Sequence, residues 1–299
     1  MPDVAPARGL GDTLGDAVRS VQQALTAAGV EDAGREARLL VAAAAGVDTA
    51  AIIARPERRL TAHEQARLEA TASRRCAREP VSRILGEREF YGRRFALSPA
   101  TLDPRPDSET LIEAALGIAA REGWRERPIR LLDIGTGTGC LLLTLLAELP
   151  LATGLGTDIS GEALQTAALN AASLGIAERV QLARVDALGG VDGPFDLIVS
   201  NPPYIPSGDI AGLSMEVAKY DPHAALDGGP DGLEIYRRII GDLGQVLTGW
   251  AIFEVGAGQA EAVALLLQQA FVKTLRAEVR RYDDLGGHTR CVALRLHSH

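Results

Sequence analysis

The chain has 299 residues with 31 basic and 39 acidic side chains, which gives a formal net charge of −8. With 46% hydrophobic and 23% charged residues, it has enough apolar side chains to bury a sizeable core. This composition excludes intrinsic disorder, collagen-like repeats and coiled coils. The acidic balance argues against a protein that coats nucleic acid, because that mode needs a basic excess, and no stable DNA binding is expected.

The charge is unevenly distributed along the chain. Residues 1–110 carry 16 basic and 16 acidic side chains, whereas residues 111–299 carry 15 and 23. Residues 55–105 contain 12 arginines against 7 acids, a local excess of +5. This arginine-rich flank is either a solvated helical face or a docking surface for an acidic or RNA-containing partner.

The remaining composition predicts an ordinary reduced compartment. Cys76, Cys140 and Cys291 are far apart and form no CxxC pair, so neither a disulfide framework nor a zinc site is predicted. The five histidines are also scattered, and no metal is expected. No apolar run reaches the roughly 18 residues that span a bilayer, and the start of the chain lacks the apolar core of a signal peptide. The expected location is cytoplasmic, without membrane association.

The first part of the chain, residues 1–80, is predicted to be a small helical-bundle domain. A second helix is favoured by the alanine-rich stretch 33–45, and Thr61 with Glu64 forms a capping box that opens a third helix ending before Pro80. The first helix shows apolar residues at helical spacing, namely Leu14, Val18, Val21 and Leu25.

Residues 81–107 are predicted to form a connector between two domains. The residues from Glu89 to Gly92 and from Phe95 to Leu97 indicate a β-hairpin. A stiff, non-helical stretch follows, because it contains three prolines, Pro99, Pro104 and Pro106. Helical periodicity returns after Asp107, which is predicted as the N-cap.

Residues 108–299 are predicted to form an α/β domain. Apolar strand-like runs lie at 129–134, 155–158, 180–183, 195–200 and 251–255. Helical stretches near 139–148, 160–173, 233–247 and 258–270 separate or follow them, which implies a mostly parallel sheet covered on both faces. The last two runs, from Leu275 to Arg281 and from Thr289 to Leu296, have only Gly286 and Gly287 at their turn and predict an antiparallel pair. Together these strands predict a seven-stranded, Rossmann-like sheet of the kind common among class I methyltransferases.

A glycine loop from Asp133 to Gly139 lies between the first of these strands and the following helix. Glycines there let the backbone approach a ligand closely. Dinucleotide-binding enzymes use GxGxxG at this point, but the position of the third glycine is Cys140. This departure favours S-adenosylmethionine, which has no pyrophosphate. Asp158 at the end of the next strand is placed to accept from two ribose hydroxyls; an ordinary tight turn with a capping aspartate is the alternative.

A second motif, Asn201 to Tyr204, follows directly on the run 195–200. In open α/β sheets, ligands bind at the carboxyl ends of parallel strands. An amide nitrogen is a poor nucleophile because its lone pair is delocalised. Two acceptors, the Asn201 side-chain carbonyl and the Pro202 backbone carbonyl, would hold a planar NH₂ group and increase electron density on its nitrogen. Tyr204 would pack on the flat face of that group; a plain Pro-Pro surface turn is the alternative.

With these motifs the chain resembles the release-factor N5-glutamine methyltransferases, the HemK/PrmC family, over nearly its whole length. Beyond the two methyltransferase motifs, the resemblance rests on three further segments. They are Pro80 to Phe90 (PVSRILGEREF), Pro104 to Glu109 (PRPDSE) and Ala225 to Leu233 (ALDGGPDGL).

The resemblance implies roles for particular residues. Cofactor contacts would be made by Gly135, Thr136, Gly137, Thr138, Gly139, Asp158, Asp186, Ala187 and Asn201. Asn201, Pro202 and Tyr204 would be catalytic, and Asn201, Pro202, Pro203 and Tyr204 would hold the substrate glutamine. Where the family often has an aromatic residue beside adenine, this chain has Ala187, which predicts weaker stacking. Segment 225–233 is expected to be a structural loop that borders the substrate channel. Arg105 and Glu109 either brace the connector or contact the substrate protein, and Glu254 is expected near the pocket without an assigned role.

The resemblance implies transfer of a methyl group from S-adenosylmethionine to the glutamine of the Gly-Gly-Gln loop of class I peptide chain release factors, with S-adenosylhomocysteine as the other product. Three alternatives stay open: methylation of a glutamine in a ribosomal protein, adenine-N6 methylation of nucleic acid, and a non-catalytic binding module. Adenine methylation in a duplex needs base flipping and a cationic groove, which the charge of −8 disfavours.

Overall fold

The computed structural model describes residues 9–271 and 277–296. In chain order the helices are α1 (Leu14–Ala27), α2 (Ala33–Ala45), α3 (Thr49–Ala54), α4 (Ala62–Cys76), α5 (Val81–Leu85), α6 (Glu109–Arg121), α7 (Cys140–Glu148), α8 (Gly161–Ser173), α9 (Met215–Tyr220), α10 (Glu234–Val246) and α11 (Ala260–Phe271). The strands are β1 (Glu87–Phe90), β2 (Arg93–Ala96), β3 (Arg130–Ile134), β4 (Thr153–Asp158), β5 (Val180–Arg184), β6 (Phe195–Ser200), β7 (Leu247–Glu254), β8 (Ala277–Asp283) and β9 (Thr289–Leu296).

These elements belong to two compact units. The helical unit comprises Met1–Gly86 together with Ser214–Tyr220, and the larger unit comprises Glu87–Leu213 together with Asp221–His299. The helical unit extends beyond residue 80 because α5 places Val81 and Ile84 in the same buried cluster as α1, α2 and α4.

Among the described residues, the helical unit contains the three predicted helices, α1, α2 and α4, and three short helices that the sequence does not predict, α3, α5 and α9. The capping box of α4 is present: Glu64 N donates to Thr61 Oγ1 at 3.3 Å, and Thr61 N donates to Glu64 Oε2 at 2.8 Å. The additional helix α3 is capped by Asp48, whose carboxylate accepts from Ala51 N at 2.6 Å. Side-chain caps satisfy N–H groups that the first turn of a helix leaves without partners.

Part of the arginine-rich flank is used inside the helical unit. Arg75, with a side chain 6% exposed, pairs with Glu36 at 2.5 Å and with Glu216 of α9 at 3.3 Å. Arg78 pairs with the same Glu216 at 2.7 Å. Because these two guanidinium groups balance buried or half-buried carboxylates, they hold α9 to this unit instead of forming a free cationic face.

The larger unit begins with the predicted hairpin, β1 paired antiparallel with β2. Phe90 and Phe95 are buried and pack edge to face, with ring centroids 6.3 Å apart. The helix α6 then begins one residue later than predicted. A 3₁₀ turn, Pro106–Ser108, runs directly into α6, so Ser108 and not Asp107 stands at its N-cap position, and Ser108 makes no side-chain cap hydrogen bond. The Asp107 carboxylate pairs with Arg290 at 2.9 Å.

The main sheet has seven strands in the order β5-β4-β3-β6-β7-β9-β8. The five strands β3 to β7 are parallel to one another, and β9 runs antiparallel to both β7 and β8. The predicted seven-stranded fold is therefore confirmed. The predicted start of the terminal pair, Leu275, lies outside the described residues.

Helices cover both faces of this sheet. On the central strand β6, Leu197 and Val199 belong to the buried cluster that contains α6 and α7. Ile198 between them belongs to the opposite cluster, which contains α10 and α11. Successive side chains of a strand point to opposite faces, so a strand buried on both sides reads as a continuous apolar run.

Candidate functional site

A cavity of about 520 Å³ opens at the carboxyl ends of β3, β4 and β6 in the larger unit. Its volume lies in the range of small-molecule pockets. Its walls come from the glycine loop, the ends of β4, β5 and β6, the proline-rich connector and the segments around residues 222–225 and 235–239. The sequence-assigned residues that line it are Gly135, Thr136, Gly137, Thr138, Asp158, Asp186, Ala187, Asn201, Pro202 and Pro203.

The glycine loop turns sharply between β3 and α7. Gly135, Gly137 and Gly139 have φ of +75°, +56° and +81°, a region that side-chain-bearing residues avoid. A Cβ at Gly135 or Gly137 would meet nothing within 4 Å, so these two positions leave backbone open towards a ligand. Gly139 is different: its Cβ would lie 2.9 Å from Leu143 Cδ1, and it does not line the cavity. Its place is the start of α7.

Asp133, a buried residue at the start of this loop, stabilises it through a side-chain hydrogen bond. Thr136 Oγ1 donates to Asp133 Oδ2 at 2.6 Å, and Asp133 has no exposed surface. Burial raises the pKa of Asp133 to about 7, while the Thr136 hydrogen bond acts in the opposite direction. Asp133 therefore holds Thr136, which lines the cavity, in place, and does not itself line the cavity.

Asp158 ends β4 and connects two segments of the cavity wall. Its Oδ2 accepts from Gly137 N at 2.9 Å, and its Oδ1 accepts from Ser160 N at 2.8 Å. Each carboxylate oxygen has about two acceptor sites, so one remains on each oxygen after these bonds. Such a pair of acceptors suits two neighbouring hydroxyl groups of a ligand.

Asp186 and Ala187 form the wall after β5. Asp186 pairs with Arg238 of α10 at 2.6 Å, which fixes the side chain at the cavity edge. Ala187 has φ of +51°, which is uncommon for a residue with a side chain. Its methyl group packs against the cluster beneath α10. At Ala187 itself the wall is small and apolar, and it presents no aromatic face there.

Asn201 and the two prolines continue β6 into the cavity. Asn201 Nδ2 donates to Ser108 Oγ at 3.3 Å, so the residue that follows the connector contacts this side chain. Tyr204 does not line the cavity; it packs against the core beneath α10, and burial raises its pKa to about 12. Its backbone carbonyl accepts from Gln259 Nε2 at 2.9 Å. The structure thus brings Asn201, Pro202 and Pro203 together at the cavity and turns Tyr204 inward.

The segment 225–233 packs against the backbone of this loop. Ile205 N donates to Leu226 O at 3.0 Å, and Gly228 N donates to Ile205 O at 2.9 Å. A Cβ at Gly228 would lie 2.7 Å from Pro203 O, and one at Gly232 would collide with Tyr204 O. Only glycine allows backbone to approach backbone this closely.

Three residues tie the connector to other parts of the larger unit. Arg105 pairs with the buried Asp221 at 2.5 Å, and Glu109 accepts from Tyr91 N at 2.9 Å. Asn170 of α8 is a residue that sequence reasoning missed. Its Nδ2 donates to Thr138 O at 2.9 Å and its Oδ1 accepts from Ala96 N at 2.8 Å, which joins the hairpin to the glycine loop. The available signal was a lone asparagine on the buried face of an alanine-rich helix.

Glu254, the last residue of β7, lies behind Asn201 and is only 3% exposed. Burial raises its pKa to about 7, and hydrogen bonds with Ser108 and Asn201 act against that rise. Within residues 9–271 and 277–296 there is no group of three or more His, Cys, Asp or Glu side chains that could hold a metal ion. None of the helices in the same ranges has the length and apolar character needed to cross a membrane.

Comparison with known proteins gives matches over both units. The family models "PrmC N-terminal domain" and "Methyltransferase small domain" match residues 16–86 and 124–217. The release factor glutamine methyltransferase of Bradyrhizobium diazoefficiens is 46% identical over 287 residues, which is 95% of each chain. That of Rhodospirillum rubrum is 48% identical over 273 residues, covering 91% of this chain and 81% of its own. Among solved structures, the hMettl16 catalytic domain in complex with MAT2A 3′UTR hairpin 6 has a TM-score of 0.53 and 16% identity over 75% of this chain and 81% of that one, a likeness of fold alone.

Proposed function

The chain belongs to the release factor glutamine methyltransferase family, and we propose that it transfers a methyl group from S-adenosylmethionine to the side-chain amide nitrogen of a release-factor glutamine. The proposed glutamine is that of the Gly-Gly-Gln loop in class I peptide chain release factors. The observation that carries the proposal is the position of Asn201. It lies at the carboxyl end of β6, lines the cavity together with the glycine loop, and presents an amide whose nitrogen contacts Ser108.

The cavity suits S-adenosylmethionine. Gly135 and Gly137 leave room for close approach, and Asp158 keeps one acceptor site on each carboxylate oxygen for the ribose hydroxyls. Asp186 and Ala187 form the wall proposed for the adenine, which they contact without stacking. The residues proposed to hold the methyl donor are therefore Gly135, Thr136, Gly137, Thr138, Asp158, Asp186, Ala187 and Asn201, with Gly139 contributing through the start of α7.

The mechanism rests on orientation. S-adenosylmethionine supplies a methyl group on a positively charged sulfur, which departs as a neutral thioether. Asn201 Oδ1 and the Pro202 carbonyl accept from the two N–H bonds of the glutamine amide, which directs the nitrogen towards the methyl group. Pro202 and Pro203 stiffen the loop that presents these acceptors. No general base is needed before attack, and the nitrogen loses its extra proton to water afterwards. Positioning of this kind can supply roughly 7–11 kcal/mol of the barrier.

Tyr204 is proposed to act through the loop. Its ring is anchored in the core and its carbonyl is held by Gln259, so it fixes the end of the segment that carries Asn201 and Pro202.

A methyl-transfer assay tests the proposal. The protein is incubated with methyl-labelled S-adenosylmethionine and, separately, with a class I release factor, its Gly-Gly-Gln variant with Gln→Ala, a ribosomal-protein mixture and duplex DNA. Label on the release factor that disappears in the Gln→Ala variant is the expected result. Label undiminished in that variant, or label on DNA alone, would contradict it, and label on the ribosomal mixture alone would favour the sister activity.

A further inference from the structure

The buried Glu254 lies next to Asn201, the proposed catalytic asparagine, and is outside the cavity lining. Glu254 is the last residue of β7, and β7 pairs in parallel with β6 so that Phe253 lies opposite Ser200. Asn201 is the next residue after Ser200, so the two side chains leave neighbouring strands at the same level. Glu254 does not line the cavity, whereas Asn201 and Ser108 do.

The backbone of Glu254 is held in place. Its carbonyl accepts from Tyr236 OH at 2.6 Å, and Tyr236 is fully buried. The carboxylate itself is almost completely buried, and its Oε2 has no hydrogen-bond partner within the described ranges. Burying a carboxylate without full compensation is costly, so a group kept in this state needs an explanation.

The partners of the carboxylate supply that explanation. Ser108 and Asn201 lie close enough to Glu254 for their hydrogen-bonding groups to lower its pKa, and Asn201 Nδ2 donates to Ser108 Oγ at 3.3 Å. Above its pKa of about 7, Glu254 is a carboxylate that only accepts, whereas a carboxamide nitrogen only donates and a hydroxyl can do both. The chain of bonds is therefore directional: the Asn201 nitrogen must face Ser108 and Glu254, which leaves the Asn201 oxygen for the substrate.

We infer that Glu254 is a positioning residue that, together with Ser108, fixes the orientation of the Asn201 carboxamide so that its oxygen accepts from the glutamine amide. A carboxamide rotated by half a turn would present NH₂ to an NH₂, which cannot form the required hydrogen bond. Without the acceptors behind it, Asn201 would populate both orientations. The inference rests on the proposed function, because Asn201 is oriented towards the side-chain amide of the substrate glutamine.

The test compares two substitutions at this one position. Glu254→Leu keeps the approximate size but removes the acceptor, whereas Glu254→Gln keeps one acceptor oxygen and removes the charge. We expect kcat with the release factor to fall about 10- to 100-fold in Glu254→Leu, the scale of hydrogen bonds to a charged group. In Glu254→Gln, kcat should recover to within about 3-fold of the wild type if one retained acceptor suffices. The dissociation constant for S-adenosylhomocysteine and KM for the release factor should change by less than about 2-fold in both, since the fault lies in orientation and not in ground-state binding.

Glu122, a second carboxylate that contacts a side chain of β7, provides the control. Glu122 accepts from Trp250 Nε1 of the same strand at 3.2 Å and does not line the cavity. Glu122→Leu replaces a glutamate by leucine, as Glu254→Leu does, but at a residue that contacts β7 away from the cavity. It should therefore leave kcat at the wild-type value. Ser108→Ala removes the relay while keeping the carboxylate, and its effect should be less than additive with Glu254→Leu, because both act through the same amide.

The outcomes separate this inference from the function it rests on. If the wild type labels no release factor, the proposed function fails. If the wild type is active and Glu254→Leu keeps wild-type kcat, or Glu254→Gln is as impaired as Glu254→Leu, the positioning role is overturned. Should Glu254→Leu fail to bind S-adenosylhomocysteine or to unfold cooperatively, Ser108→Ala decides: a lower kcat with unchanged affinity supports the role, and an unchanged kcat overturns it.

Discussion

The close approach of Gly228 to the loop that carries Asn201 can be tested with a single methyl group. Gly228→Ala would place a Cβ 2.7 Å from Pro203 O and 2.8 Å from Tyr204 Cα, and all of the nearest atoms are backbone. Gly228 is not among the glycines with positive φ, so alanine adds crowding without backbone strain. To reach ordinary van der Waals contact the loop must shift by somewhat under 1 Å, at a cost of about 1–3 kcal/mol for overpacking.

Such a shift should affect turnover more than binding. A misplacement of about 1 Å can reduce the rate on the order of 100-fold, because the two acceptors no longer meet the two N–H bonds together. We expect kcat to fall by roughly that factor and the unfolding midpoint to fall by about 2–4 °C per kcal/mol. Affinity for S-adenosylhomocysteine should stay near wild type, since the glycine loop and Asp158 are untouched.

Gly208→Ala is the control for this substitution. Gly208 follows the same loop, has no positive φ, and a Cβ there would meet nothing within 4 Å. It should leave kcat and the unfolding midpoint unchanged. The steric reasoning would be refuted by equal kcat values for Gly228→Ala and Gly208→Ala in steady-state assays with the release factor.

Three further changes test other parts of the structure. Asp158→Ala removes the proposed ribose acceptors and the bond to Gly137 N, so calorimetry should show S-adenosylhomocysteine binding about 10- to 100-fold more weakly, and unchanged affinity would exclude that role. Asn170→Ala leaves Thr138 O and Ala96 N without this partner, so denaturant unfolding should show a loss of about 1–3 kcal/mol, and full stability would show that the link is dispensable. Thr61→Ala removes the α4 cap and should lower the free energy of unfolding by about 0.5–2 kcal/mol while kcat stays unchanged; a loss of activity would contradict a purely structural cap.

The elements that could be predicted are those whose signals are local. The long strands and helices of the larger unit follow from apolar periodicity, and β6 begins and ends at the predicted residues. The capping box of α4 lies within four residues and is present as predicted. The six-residue helix α3 was not predicted, because it is too short to show the helical spacing of apolar residues.

The parts that could not be predicted depend on contacts between distant residues. Asp107 has the right type for an N-cap, but it lies inside the 3₁₀ turn Pro106–Ser108, and its carboxylate pairs with Arg290, far along the chain. Asn170 joins residues 32 and 74 positions away, and Ser108 meets Asn201 across 93 positions. The motif around Asn201 is visible in the sequence, whereas the groups that orient it become apparent only once the fold brings β6, β7 and the connector together.

The central claim is that Asn201 directs methyl transfer to one glutamine amide nitrogen. The most direct measurement is peptide fragmentation mass spectrometry of a class I release factor after reaction with the wild type and with Asn201→Ala, both shown to bind S-adenosylhomocysteine. The account predicts a gain of one methyl group in place of hydrogen on the side chain of the Gly-Gly-Gln glutamine with the wild type, and almost none with Asn201→Ala. Methylation of a different residue, or equal methylation by the two proteins, would contradict it.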